Sequence, residues 1–139
     1  MKLCNDTITV FNARVDPEVG GNVWIPTVIT GAGWYLTDAA TVDASKGGLV
    51  AANKATIRIP EGANAGGKAY ADPVNYASAE DVSGLWTLKG GDIVVRAAVE
   101  GGDWTPARLK AAYAECVVIL GVTDNRRAPN AKHWRVTAT

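Results

Sequence analysis

Histidine, cysteine, phenylalanine and methionine are scarce in this chain: its 139 residues include 1 His, 2 Cys, 1 Phe and 1 Met. The shortage bounds the chemistry before any motif is sought. A Ser-His-Asp or Cys-His apparatus would have to use His133, which stands between Lys132 and Trp134 in a strand-like pattern. The plain reading there is a surface or edge-strand side chain. Cys4 and Cys116 have no C-x-x-C spacing, and with one histidine they fall short of the roughly four ligands of a zinc site. Two free thiols, largely buried, are expected in a reducing cytoplasm. An excess of charge of one sign is also missing. Lys+Arg is 14 and Asp+Glu is 14, which argues against a dedicated nucleic-acid binder but permits contact with DNA held in place by other proteins. No apolar run approaches the ~20 residues of a membrane span; the longest, 116–120, is strand-length. Residues 1–6 contain no apolar h-region, so neither a signal peptide nor a membrane partner is expected.

What is present reads as one mainly β domain over 1–139, large enough to hold a core without disulfides or metals. Residues 6–14 alternate and are rich in β-branched side chains, a strand. Residues 23–30 form a second strand, edge-placed or bulged at Pro26. Gly31 and Gly33 then break the run before a third at 34–37. Residues 55–60, 92–98, 117–122 and 133–137 read as further strands. Thr105-Pro106 opens a short helix over about 105–115: Thr105 is a natural N-cap and Pro106 suits the first helical position, with Leu109, Ala112 and Tyr113 on one stripe. The expected architecture is a small antiparallel β-barrel or sandwich with this helix as a plug. Residues 38–53 dissolve into Ala, Asp, Gly and Ser. Residues 61–82 are rich in Gly, Ala and Asn without a period, and a loop of that length inside a compact domain is usually functional or mobile.

No catalytic set emerges. Glu80, Asp81 and Asp103 read as solvated turn carboxylates. Gly62 to Lys68 has the glycine and lysine spacing of a phosphate loop, but Ala69 stands where the Mg²⁺-binding hydroxyl belongs and no α/β pattern surrounds it. The five tryptophans, Trp24, Trp34, Trp86, Trp104 and Trp134, read as core or subunit-interface residues. The residues therefore predict a non-enzyme with no cofactor and no metal. The rival reading is a non-catalytic ligand- or carbohydrate-binding β-sandwich, which would set several tryptophans on one exposed face.

Two stretches carry a resemblance. They are Asp6-Thr7-Ile8-Thr9-Val10-Phe11-Asn12 and a C-terminal series. The latter comprises Gly91 to Val95, the helix ending Ala111-Ala112-Tyr113, Val118 to Arg127 with its D-N-R-R, and Lys132-His133-Trp134-Arg135-Val136. The resemblance covers both ends of the chain, about half of it. The two stretches resemble small head–tail connector, or minor capsid, proteins of siphophages and prophages of Gram-positive bacteria, of the stopper or head-completion type. One departure is Ala128, where a glycine is expected after the arginine pair.

The resemblance implies a structural virion protein made in the bacterial host cytoplasm and resident in the phage neck. Its partners would be further copies of itself in a homo-oligomeric ring, sixfold by expectation, with portal/adaptor and tail proteins on either side. Non-specific contact with packaged double-stranded DNA would follow from that position. Segment 61–82 is expected to leave the barrel as a gating or docking excursion, anchored by Tyr70 and Tyr76, with Lys68 its candidate to approach a phosphate beside the plainer reading of a solvated lysine. Its removal over 62–78 is expected to leave the domain folded. Arg126 and Arg127 follow the turn formers Asp124-Asn125, and at least one is expected in a structural ion pair within the subunit or across to a neighbour.

Overall fold

The computed structural model describes residues 5–16, 18, 20–43, 48–100 and 104–139, with the backbone alone described at 36–43 and 48–53. Its strands are β1 (Asp6–Asp16), β2 (Gly21–Asp43), β3 (Gly48–Pro60), β4 (Ala69–Tyr70), β5 (Leu85–Trp86), β6 (Ile93–Val95), β7 (Cys116–Asp124) and β8 (His133–Ala138). Two short helices, α1 (Pro73–Ser78) and α2 (Pro106–Ala112), complete the order. Strands β1-β2-β3-β8-β7-β6 pair in that sequence, and β6 returns to β1, so the antiparallel sheet closes as a barrel. A mainly β chain with a short C-terminal helix is thus what the structure contains. Closure is partial along the strands: β6 covers β1 only over Thr9–Phe11, and the 21–32 half of β2 keeps β1 as its only strand neighbour.

β2 is the organising strand. Its first half pairs with β1 up to Ala32, and its second half pairs with β3 from Gly33 onward. The change of partner falls at Gly31–Gly33. Gly31 adopts φ 86, a left-handed value that a residue with a Cβ resists. The glycines read as a break are therefore a corner at which one continuous strand passes from one neighbour to the next. Pro26 pairs opposite Phe11 in the half of β2 that has β1 as its only strand neighbour, so its missing N–H interrupts no second ladder.

Alternation sorts the side chains into two apolar clusters. Ile8, Val10, Ile29, Trp34, Ile57, Ile59, Val94, Ile119, Trp134 and Val136 fill the barrel, joined by Trp86, Leu88 and Ala65 from the connecting segments. Phe11, Ile93 and Val95 lie on the opposite face of β1 and β6 and pack with Val99 and with Leu109 of α2. The helix therefore covers the outside of the wall rather than plugging the interior. Its cap is the one read from sequence: the Thr105 hydroxyl accepts the Arg108 N–H at 3.2 Å. Thr9 ties the same wall, donating to the Ala97 carbonyl at 2.6 Å and accepting from the Val99 N–H at 2.8 Å.

Segment 61–82 is not an excursion. Asn64 bridges to Thr30, β4 pairs in parallel with β5, and Asp72 caps α1 by accepting from the Asn75 N–H at 2.9 Å. Ala65 and Tyr76 from this segment are buried. Its small residues let it lie flat on the barrel, and a few apolar anchors offset the ordering entropy that composition alone made prohibitive. Removing 62–78 would strip those anchors from the core, so the expectation of a fold indifferent to that deletion is corrected.

The projection lies instead in the hairpin of β2 and β3. β8 pairs with β3 over Ala55–Pro60 only. From Thr37↔Lys54 to Asp43↔Gly48 the two strands pair with each other and with no third strand among the described residues. At about 3.4 Å per residue this arm extends on the order of 20 Å from the barrel. Residues 38–53, read as structureless, contain it; 44–47 lie outside the described residues.

Candidate functional site

The residues singled out from sequence sit on the body of the barrel. Lys68 donates from Nζ to the Pro26 carbonyl and to the Thr27 hydroxyl, each at 3.0 Å, and burial lowers its pKa. Its ammonium satisfies a carbonyl on the open edge of β2, so the expected approach to a phosphate is replaced by a tether between segment 61–82 and the wall. The preceding glycines form a turn in which Asn64 Oδ1 accepts the Gly66 N–H at 2.9 Å.

Tyr70 belongs to an aromatic cluster, its ring 5.1 Å from Trp86 and 4.6 Å from Trp134 between centroids. Trp86 and Trp134 meet edge-on at 5.1 Å, the arrangement that ring quadrupoles favour. Both indoles are buried. Tyr76 is 2 % exposed, and desolvation pushes its phenol up to about 12. Tyr70 and Tyr76 are thus anchors, but of a segment held against the body rather than one leaving it.

Arg126 pairs with Asp124 at 2.7 Å within the subunit, and that hydrogen-bonded pair holds the Asp124 carboxyl below its usual range. The guanidinium also lies over Tyr70 and Trp134, 5.0 and 4.9 Å from their centroids, which places it as a lid on the aromatic cluster. Arg127 is exposed and enters no ion pair within 4 Å among the described residues.

The turn after Arg127 explains His133. Its Nδ1 lies 2.6 Å from the Ala131 carbonyl and its Nε2 lies 3.2 Å from Asn125 Nδ2. The carbonyl can only accept, so Nδ1 donates to it. The ring locks a turn, and its hydrogen-bond partners among the described residues are Asn125 and Ala131. Ala128 needs no glycine geometry; the left-handed residue is Ala131, at φ 54. Ala131→Gly is expected to stabilise the domain by up to about 1 kcal/mol, the left-handed strain of an alanine less the added freedom of an unfolded glycine. Chemical denaturation checks this, and a loss of stability would show that the Cβ makes a contact worth more than the strain.

Sequence reasoning missed two features. One is the arm, whose Ala-rich strands lack the β-branched signature. The other is a pair of oppositely charged surfaces. On the outward face of β3 and β8, Lys54, Arg58 and Arg135 are all exposed. Arg58 stands directly opposite Arg135 in the ladder and reaches over the Tyr35 ring, 5.9 Å from its centroid. At the β1–β2 turn, Asp16, Glu80 and Asp81 line an open groove of about 520 Å³ together with Val15, Val23 and Val82. Among the described residues no group of three His, Cys, Asp or Glu could hold a metal ion. Among the described residues no helix is long and apolar enough to cross a membrane.

A family model described as a family of unknown function, DUF6751, matches residues 3–139. No curated protein and no solved structure matches the chain.

Proposed function

We propose, taking as premise that the chain belongs to the DUF6751 family, that it is a non-enzymatic structural subunit of a phage neck: a head–tail connector of stopper or head-completion type. The observation that carries this reading is the β2–β3 arm. A two-stranded hairpin free of a third strand is marginal in water, and the outer edges of 37–43 and 48–54 have no strand partner among the described residues. Such an element is stabilised by laying it on another chain, by edge pairing or by packing its faces. An arm donated from each copy to the next is a head-to-tail contact, and head-to-tail contacts that close make rings. A closed barrel is a rigid body from which to project it. Further copies of the chain, then portal/adaptor and tail proteins, are the partners of this reading. Packaged double-stranded DNA passes through the ring, and the mature location is the virion.

The carbohydrate-binding alternative needs exposed aromatic platforms. Trp34, Trp86 and Trp134 are at most 6 % exposed, so nothing in their placement favours it.

The test is to replace 38–53 by an Asn-Gly turn, which suits a two-residue hairpin, and to compare oligomeric state by native mass spectrometry and negative-stain microscopy. Wild-type chains are expected to form closed rings. The shortened chain is expected to stay folded, with a stability change within about 1 kcal/mol because a lone hairpin adds little, and to lose ring formation at least tenfold. Rings of unchanged yield from the shortened chain would remove the arm from the assembly, and a monomeric wild type at all concentrations would remove the connector reading.

A further inference from the structure

We infer that the subunits join through charge: the Lys54/Arg58/Arg135 face of one copy docks into the acidic groove beside the β1–β2 turn of the next. The inference rests on the ring reading above and names its interface. Its starting point is an electrostatic cost. Arg58 and Arg135 are paired in register on adjacent strands, where like charges face each other at close range and destabilise the sheet. Their other ladder partners are Gly33 and Thr123, so neighbouring strands place no carboxylate opposite them. Neither arginine, nor Lys54, enters a salt bridge among the described residues. A sheet that retains such a pair without a counterion of its own is built for one that arrives from outside. Tyr35, 38 % exposed, adds an aromatic body to the patch, the usual companion of arginine at protein interfaces.

The same chain supplies the complement. Asp16, Glu80 and Asp81 surround a concave groove whose other lining includes Val15, 70 % exposed. Glu18 is exposed in the adjoining turn. The groove's lining holds one cation, Arg14, whose guanidinium donates to the Ala79 carbonyl at the end of α1 and offsets only part of the charge of Asp16, Glu80 and Asp81. An apolar groove with acidic residues fits a guanidinium and a tyrosine ring better than it fits any anion. The cationic face belongs to the root of the arm on β3, whereas the groove belongs to the opposite end of the β1–β2 hairpin. Because the two surfaces lie at different ends of the β1–β2 hairpin, the contact uses the cationic face of one copy and the groove of the next. That is a head-to-tail contact, which makes a ring when the rotation between copies closes. DNA is the less suited occupant of the cationic face, because the chain carries no net charge and its carboxylates would repel phosphates across the remaining surface.

The experiment reverses each surface separately: Arg58→Glu with Arg135→Glu, and Glu80→Lys with Asp81→Lys, read by native mass spectrometry and sedimentation velocity at low ionic strength. All four side chains are exposed, and circular dichroism monitors folding. The neutral variant Arg58→Gln with Arg135→Gln serves should a reversal misfold. Each reversed variant alone is expected to lose at least tenfold in oligomer. An equimolar mixture is expected to recover it, since the reversed surfaces match each other and the native ones do likewise. The neutral variant should fall between, and added salt should weaken the wild-type assembly. If wild-type rings form and the reversed variants form them equally well, this interface is wrong while the ring reading stands. If the wild type never assembles, the ring reading fails and carries the interface with it. If a labelled DNA duplex binds the wild type, loses binding in the Arg58/Arg135 variants and assembly is untouched, the cationic face serves nucleic acid and the inference is overturned.

Discussion

Trp134→Ala is expected to cost about 3–5 kcal/mol, the range for truncating a fully packed large aromatic. Trp134 is 3 % exposed and touches three partners at once: Trp86, the Tyr70 ring and the Arg126 guanidinium. It is the point at which β8, the 61–82 segment and the turn after β7 meet. Truncation empties the centre of that junction, which is too broad for the closed wall to collapse upon. The substitution Trp134→Phe separates volume from polarity. The indole N–H has no hydrogen-bond partner among the described residues, so phenylalanine forfeits no bond and is expected to cost less than half as much. Urea denaturation of the three proteins decides the matter; equal losses for Ala and Phe would mean that the indole makes a polar contact on which the junction depends.

Asp92→Ala is expected to cost about 2–3 kcal/mol, because it orphans buried donors. Asp92 is fully buried. Its carboxylate accepts from Asn12 Nδ2 at 2.8 Å and from the Ala13 N–H at 3.1 Å. Asn12, also buried, in turn donates to the Thr87 carbonyl at 2.7 Å and accepts from the Thr87 N–H at 3.3 Å. This knot stitches β1 to the strand-like stretch that enters the core at Trp86 and Leu88. Asp92→Asn retains an acceptor for Ala13 but turns an amide toward the Asn12 amide, so it is expected to lose part of the same stability. The pH dependence has a definite sign. Burial raises the Asp92 pKa above its ordinary 3.8 despite the hydrogen bonds that oppose the shift. An acid raised on folding contributes stability that is fully present below its unfolded value and is lost as pH rises through its folded value. The stability of the wild type relative to Asp92→Asn should therefore decline as pH rises above the ordinary carboxyl value of 3.8. A difference that grows instead would show that the folded state prefers the charged form.

Local chemistry carried far in this chain. The strands at 55–60 and 133–137 were legible because Ile57 and Ile59, then Trp134 and Val136, alternate with Arg58 and Arg135, and period two admits one reading when a single face is buried. The N-cap at Thr105 was legible because a hydroxyl followed by proline satisfies the first turn of a helix wherever it lies. An ion pair for at least one of Arg126 and Arg127 was legible, but that Asp124 is the partner came from the structure. The scarcity of histidine and cysteine limits the chemistry open to the chain, and composition alone displays that.

What tertiary structure alone decided concerns partners distant in sequence. Small residues do not announce whether they lie flat on a wall or reach away from it, because their own burial is slight either way. The Gly- and Ala-rich 61–82 segment turned inward because the nearby Trp86 and, far along the chain, Trp134 together offered Tyr70 a surface, and because the open edge of β2 offered Lys68 a carbonyl. The Ala-rich 37–43 and 48–54 turned outward because β1 stops pairing at Ala32 and β8 stops at Ala55, leaving those strands only each other. Gly31 and Gly33 spell a break in any local window, yet closure of the barrel made them the corner of one strand. The opposition of Arg58 to Arg135 is a fact of register between strands separated by most of the C-terminal half, and no window of sequence contains both. Composition determined that this chain folds as a small β domain; which of its pieces project, and which charges face each other, was settled by how the barrel closes.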